Sequence, residues 1–210
     1  MYLFNRAIYT NGDMEALMPL FQESIVLMKS AGVSMNVWAG GNGFQFGTIG
    51  FSVAYESLAA RAAVNAKLGT NKSWWALARK MTEYARSWEP DTIYQYVRGG
   101  TIGTDIPLGT VVNQNQIQTK GPNEWKAAIQ WANEHAELCK QITGIDTNVL
   151  HTIYGKLGDV TMLTGMANAA AVDEYRAKLM ASAEFMPKFL EGAQYAIPET
   201  IVQRQLVKIA

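Results

Sequence analysis

From Leu3 to Thr10 the chain reads LFNRAIYT, an aromatic and β-branched run that stops at Asn11-Gly12 and predicts a strand followed by a turn. The period then changes. Between Met14 and Ser30 the apolar positions Leu17, Leu20, Phe21, Ile25 and Met28 recur every three or four residues, which predicts a helix ended by Gly32. Pro19 must lie near its first turn or kink it. Strands are predicted over 33–39 and, after a Gly-Gly-Asn-Gly turn, over 44–53. A short helix follows around 55–67. A longer one starts near Lys72, its stripe of Trp74, Leu77, Met81, Tyr84 and Trp88 running up to Pro90. A strand over 92–98 closes the unit.

The second half repeats this order: strand 111–119, helix 123–142, strands 147–154 and 160–166, helices over 170–195, strand 200–209. The residues echo as well. Gly32-Val-Ser-Met-Asn-Val37 returns as Gly144-Ile-Asp-Thr-Asn-Val149, and Ile8-Tyr-Thr-Asn-Gly12 as Ile117-Gln-Thr-Lys-Gly121. Asn65-Ala-Lys-Leu68 returns as Arg176-Ala-Lys-Leu179, and Pro90-Asp-Thr-Ile-Tyr-Gln95 as Pro198-Glu-Thr-Ile-Val-Gln203. Four matches in the same order indicate an internal duplication. The first repeat covers 1–100 and the second 110–210, joined by a glycine-rich linker over 101–109. Each unit reads βαββαβ, a ferredoxin-like α+β motif whose antiparallel sheet carries helices on one face only. Two such sheets in one chain can cover each other and form an intrachain α+β barrel.

Composition narrows the partners. Lys+Arg and Asp+Glu both number 18, so the formal net charge is zero and nothing favours a nucleic-acid partner. The N-terminus lacks the pattern of a signal peptide, and no apolar run is long enough for a membrane span. With the single cysteine, Cys139, this predicts a cytoplasmic protein without disulfides. Asn71-Lys72-Ser73 matches a glycosylation acceptor by accident.

Candidate chemistry is sparse. Asn36 and Asn148 occupy strands, where asparagine is disfavoured; each must bond across the barrel or face a ligand. Gln95 and Gln203, also paired by the repeat, carry the same two readings. Alternation groups Asn36 with Trp38, and Asn148 with Leu150, Thr152 and Tyr154. His135 shares a helix face with Ala132, Ala136 and Cys139, as a buried neutral histidine or a general base. No further ligand accompanies His135 and Cys139, so no metal is expected. His151 stands where the first repeat has Ala39, an asymmetry that marks it as a functional candidate on an undetermined face. Trp75, next to Trp74, is free to line a cavity or an oligomer contact, and Tyr94 and Tyr96 add polar aromatic lining, as do Asn5, Arg6 and Tyr9. Nucleotide-binding, α/β-hydrolase and zinc-protease motifs are absent.

In element order and duplication, the whole chain resembles the dimeric α+β-barrel superfamily in a tandem, fused form. That superfamily includes antibiotic-biosynthesis-monooxygenase-like, NIPSNAP-like, EthD-like and haem-handling branches. The resemblance implies a small-molecule pocket, with a cofactor-independent monooxygenase- or cyclase-like enzyme as one reading. In that reading His151 and His135 are the catalytic candidates. Asn36, Trp38, Asn148, Tyr154, Trp75 and Tyr94 are the substrate-binding candidates. A non-catalytic binding or scaffold protein with a solid barrel is another reading. Haem binding is a third: Asn5 with Trp74 or Trp75 resembles the haem-degrading branch, although that helix has no histidine and His135 falls on an early helix of the second half.

Overall fold

The computed structural model describes residues 1–100 and 106–210, so the predicted linker over 101–109 falls partly outside the described residues. The first half forms β1 (Tyr2–Thr10), α1 (Met14–Ala31), β2 (Met35–Gly40), β3 (Thr48–Tyr55), α2 (Leu58–Gly69), α3 (Lys72–Thr82), β4 (Ala85–Trp88) and β5 (Thr92–Arg98). The second forms β6 (Val111–Gln118), α4 (Pro122–Thr143), β7 (Thr147–Tyr154), β8 (Asp159–Met166), α5 (Ala169–Ala181), α6 (Phe185–Glu191) and β9 (Val202–Lys208). No helix among the described residues is long and apolar enough to cross a membrane.

The repeated hexamer has a local cause. Gly32 and Gly144 cap α1 and α4 in the left-handed region, at φ 103° and 79°, a conformation that costs glycine little. Each glycine turns the chain from the first helix of its half into that half's second strand. At the other end of α1, the Asp13 carboxylate accepts from the Ala16 N–H, and Pro19 sits inside a continuous helix.

Eight strands close in the cyclic order β1-β3-β2-β9-β6-β8-β7-β5, returning to β1. The closing strand of each half bridges the two. β5 pairs antiparallel with β1 of its own half and with β7 of the other, and β9 pairs with β6 and with β2. Both seams are therefore backbone ladders, the β5–β7 one with register shifts at Ile93/Tyr94 and Tyr96/Arg98. Apart from the outer side of the four-residue β4, neither half keeps the open edge at which an isolated sheet would recruit another chain.

One predicted element is corrected. The helix read up to Trp88 stops at Thr82, and Ala85–Trp88 is a strand. Tyr84 and Trp88 are four apart, which suits a helix face, but the demand of β1 prevails. β5 covers only Tyr2 to Asn5 of that strand, and β4 takes Ile8 to Thr10.

Alternation divides every strand between the helix layer and the barrel interior. Outward, Ile8, Val37, Ile49, Phe51 and Val53 pack on Leu17, Phe21 and Met28 of α1. The rings of Phe21 and Phe51 meet edge-on at 5.7 Å. In the second half Val149, Val160 and Met162 pack under Trp131, Ala132 and Ala136 of α4. Inward, the apolar cluster is small, built on Leu3, Tyr94 and Leu150.

Candidate functional site

The barrel interior holds a cavity of about 1520 Å³. Its wall takes the inward positions of strand after strand: Leu3 and Asn5, Asn36 and Trp38, Gly50 and Ser52, Tyr94 and Tyr96, Gln114 and Gln116, Asp159 and Leu163, Arg204 and Leu206. The space is large enough for a drug-sized organic molecule. A scaffold packed solid, one of the readings from sequence, does not describe this barrel.

Chemistry concentrates on the wall built by β6, β8 and β9. Asp159 is the first residue of β8, opposite Gln118 in the β6 register, so its side chain enters the barrel near one end. It is 3% exposed. One carboxylate oxygen, Oδ2, accepts from Gln116 Nε2 at 2.6 Å, and Gln114 donates in turn to Gln116 at 3.1 Å. The other, Oδ1, is buried and has no partner. Burial raises the Asp159 pKa above the ordinary carboxylate value, against the lowering effects of the Gln116 hydrogen bond and of Lys156. The matching position of the first repeat, opposite Tyr9, is Thr48, and the Thr48 hydroxyl donates to the Gln45 carbonyl at 2.6 Å. The carboxylate therefore belongs to the second repeat alone.

Two more lining residues keep a buried polar atom unpaired: Asn5 Oδ1 and Arg204 Nε. Orphaned buried atoms of this kind cost about 1–3 kcal/mol each. Three such atoms face the one cavity. Tyr94 adds a phenol whose pKa burial, above all, pushes up to about 12; it stays protonated near neutrality and is available as a donor.

The structure sorts the residues singled out from the sequence. Asn36, Trp38, Asn148 and Tyr94 line the cavity. The Trp38 indole donates to Ser52 Oγ at 2.8 Å, and Asn148 Oδ1 accepts from the Gly100 N–H at 2.7 Å. Asn36 makes no side-chain hydrogen bond among the described residues, so the two related asparagines have parted in role.

The remaining four lie outside the cavity. His151 follows Leu150 on β7 and so faces the helices, its ring edge-on to Trp125 at 5.0 Å. His135 is on α4, stacked on Trp131 at 5.4 Å and beside Phe185 and Phe189, with Nε2 3.5 Å from Cys139 Sγ. Burial, with a smaller effect of Lys188, lowers its pKa to about 4. Trp75 is exposed on α3 and donates to the Gly69 carbonyl at 2.9 Å. Tyr154 is exposed at the end of β7. The reason is the same for both histidines: one occupies the helix-facing phase of a strand, the other a helix stripe turned to its own neighbours.

The residues present do not fit haem. Neither histidine reaches the cavity, and the His135 ring is enclosed by three aromatic side chains with no room for a macrocycle. No group of three or more His, Cys, Asp or Glu among the described residues is arranged to hold a metal ion.

No described protein family matches the chain, nor does any curated protein. Solved structures do. A proposed monooxygenase from Fusobacterium nucleatum superposes with a TM-score of 0.66 at 11% identity, over 100% of this chain and 92% of that one. An anthrone oxidase-like protein gives 0.62 at 11% identity, over the same shares. These likenesses show the fold: two ferredoxin-like halves fused into one closed α+β barrel. In this fused form one polypeptide supplies both sheets. A major regulator of staphylococcal pathogenesis is also similar over its whole length, with a TM-score of 0.59 at 10% identity. The fold therefore leaves the function to the site.

Proposed function

We propose that the barrel interior binds a small, largely aromatic molecule and that Asp159 removes a proton from it, as the first step of a cofactor-independent oxidation. The observation that carries this reading is the unpaired oxygen of a buried carboxylate facing a cavity of about 1520 Å³. Desolvation makes a carboxylate a stronger base, and the Gln116 amide fixes which oxygen is free. A suitable substrate carries an acidic C–H beside a carbonyl or a phenol ring. Loss of that proton to Asp159 Oδ1 leaves a carbanion delocalised into the aromatic system. Dioxygen is the electron acceptor: a methylene becomes a carbonyl, one oxygen atom is retained, and the other leaves as water. Tyr94 serves as a neutral hydrogen-bond donor in the same chamber.

The likeness to a proposed monooxygenase and to an anthrone oxidase-like protein supports this direction at the level of fold. The test is oxygen uptake with a panel of anthrone- and phenol-type compounds, comparing the wild type with Asp159→Asn. Substrate-dependent uptake that collapses in the variant supports the proposal. Uptake that survives the substitution removes Asp159 from the chemistry. Binding without uptake reduces the protein to a carrier.

A further inference from the structure

Among the described residues, Arg204 is a cation without a counter-ion. It lies on the inward phase of β9 opposite Gln114 of β6, and it lines the cavity. Its guanidinium makes no ion pair and no hydrogen bond among the described residues, and its Nε is buried. Arg6 is held by both oxygens of Asp91, and Arg98 by Glu137 and Asp146, whereas Arg79, Arg86 and Arg176, unpaired among the described residues, are exposed to water. A guanidinium in a wall of this kind is normally paired, because leaving water without a partner is costly.

The surroundings hold Arg204 in place without neutralising it. Phe44 lies under the guanidinium at 5.0 Å. The loop that brings Phe44 there passes over β9 at Gly43, φ +81°, where an added Cβ would come within 2.6 Å of the Gln203 carbonyl oxygen and 3.1 Å of Arg204 Cγ. The nearby carboxylate of Glu89 accepts from the Tyr9 hydroxyl. Asp159 engages the Gln116 amide on the other flank of β6, two inter-strand spacings across and four residues along from the Arg204 pairing, roughly 16 Å between backbones.

We infer that the cavity selects aromatic ligands carrying an anionic group, which the unpaired guanidinium of Arg204 receives through its planar fork of N–H donors. This deepens the reading of the cavity as a binding site and rests on it. A carboxylate, sulfonate or phenolate would accept two of these donors, replacing the missing counter-ion.

The test uses two fluorescent probes that differ by one charged group: 8-anilinonaphthalene-1-sulfonate and the neutral N-phenyl-1-naphthylamine. The wild type, Arg204→Met and Arg204→Lys are titrated with each. The expected result is at least a tenfold loss of sulfonate affinity in Arg204→Met, partial recovery in Arg204→Lys, and neutral-probe affinity within twofold throughout. The neutral probe also reports that the variants keep a formed cavity. Equal losses for both probes, or an unchanged sulfonate affinity, overturn the anion preference while leaving the cavity reading standing. Failure of both probes to bind the wild type overturns the cavity reading and this inference with it.

Discussion

The Gln116 side chain donates to one oxygen of Asp159 at 2.6 Å and leaves the second buried oxygen without a partner. A carboxylate so placed is held for something other than stability. Its folded-state pKa is raised, so ionising it costs stability as pH rises from the unfolded value of about 3.8 through the folded one. Asp159→Asn removes that cost. The variant is expected to be more stable than the wild type at pH 7 and to converge with it near pH 3, as read by urea denaturation. Its turnover of an active substrate is expected to fall by about 10²–10⁴-fold, the usual contribution of a general base.

His135 has the opposite effect on the pH profile. Burial lowers its pKa from 6.5 to about 4, so the folded state binds fewer protons than the unfolded state between those values. Its contribution is complete above pH 6.5 and is lost as pH falls toward 4, amounting to roughly 3 kcal/mol. In His135→Phe, among Trp131, Phe185 and Phe189, that slope should flatten. An identical slope in the variant would place the acid sensitivity elsewhere.

The two asparagines of the repeated hexamer should separate in stability measurements. Asn148→Ala leaves the Gly100 N–H without its acceptor and is expected to cost about 1–3 kcal/mol. Asn36 holds no such bond among the described residues, and Asn36→Ala should stay within about 0.5 kcal/mol. Ligand affinity should respond in the reverse order, since of the two only Asn36 is still free to bond. Equal destabilisation by the two substitutions contradicts the division of roles.

Obstructing one part of the cavity should weaken binding without unfolding the barrel. A Cβ added at Gly165, a lining position on β8, meets nothing within 4 Å. Gly165→Phe is expected to change stability by less than about 1 kcal/mol and to weaken the binding of both fluorescent probes. Unchanged affinity for both would move the ligand away from this part of β8.

Much of the fold was legible because duplication repeats both pattern and residues. Gly32 and Gly144 cap equivalent helices, and Asn36 and Asn148 both reach the interior. Strand alternation also grouped Asn36 with Trp38 correctly. The face of His151 depended on register, which a single strand does not reveal, and pairing placed it toward Trp125. The extra strand β4 was hidden because a four-residue spacing fits a helix until an unpaired stretch of β1 claims it. Asp159 went unnoticed beside its turn, Gly155-Lys-Leu-Gly158, where a carboxylate is ordinary. Its one signal was the asymmetry with Thr48, and only closure of the barrel shows that its side chain leaves water.

The most direct test of the hollow barrel as a binding site is a ¹⁵N–¹H spectrum of the six tryptophan indoles during titration with 8-anilinonaphthalene-1-sulfonate. Of these rings Trp38 alone lines the cavity, its indole donating to Ser52, whereas Trp125 and Trp131 pack in the helix layer. The Trp38 resonance is expected to shift to saturation while the other five stay in place. A spectrum in which Trp125 or Trp131 moves and Trp38 does not would contradict it.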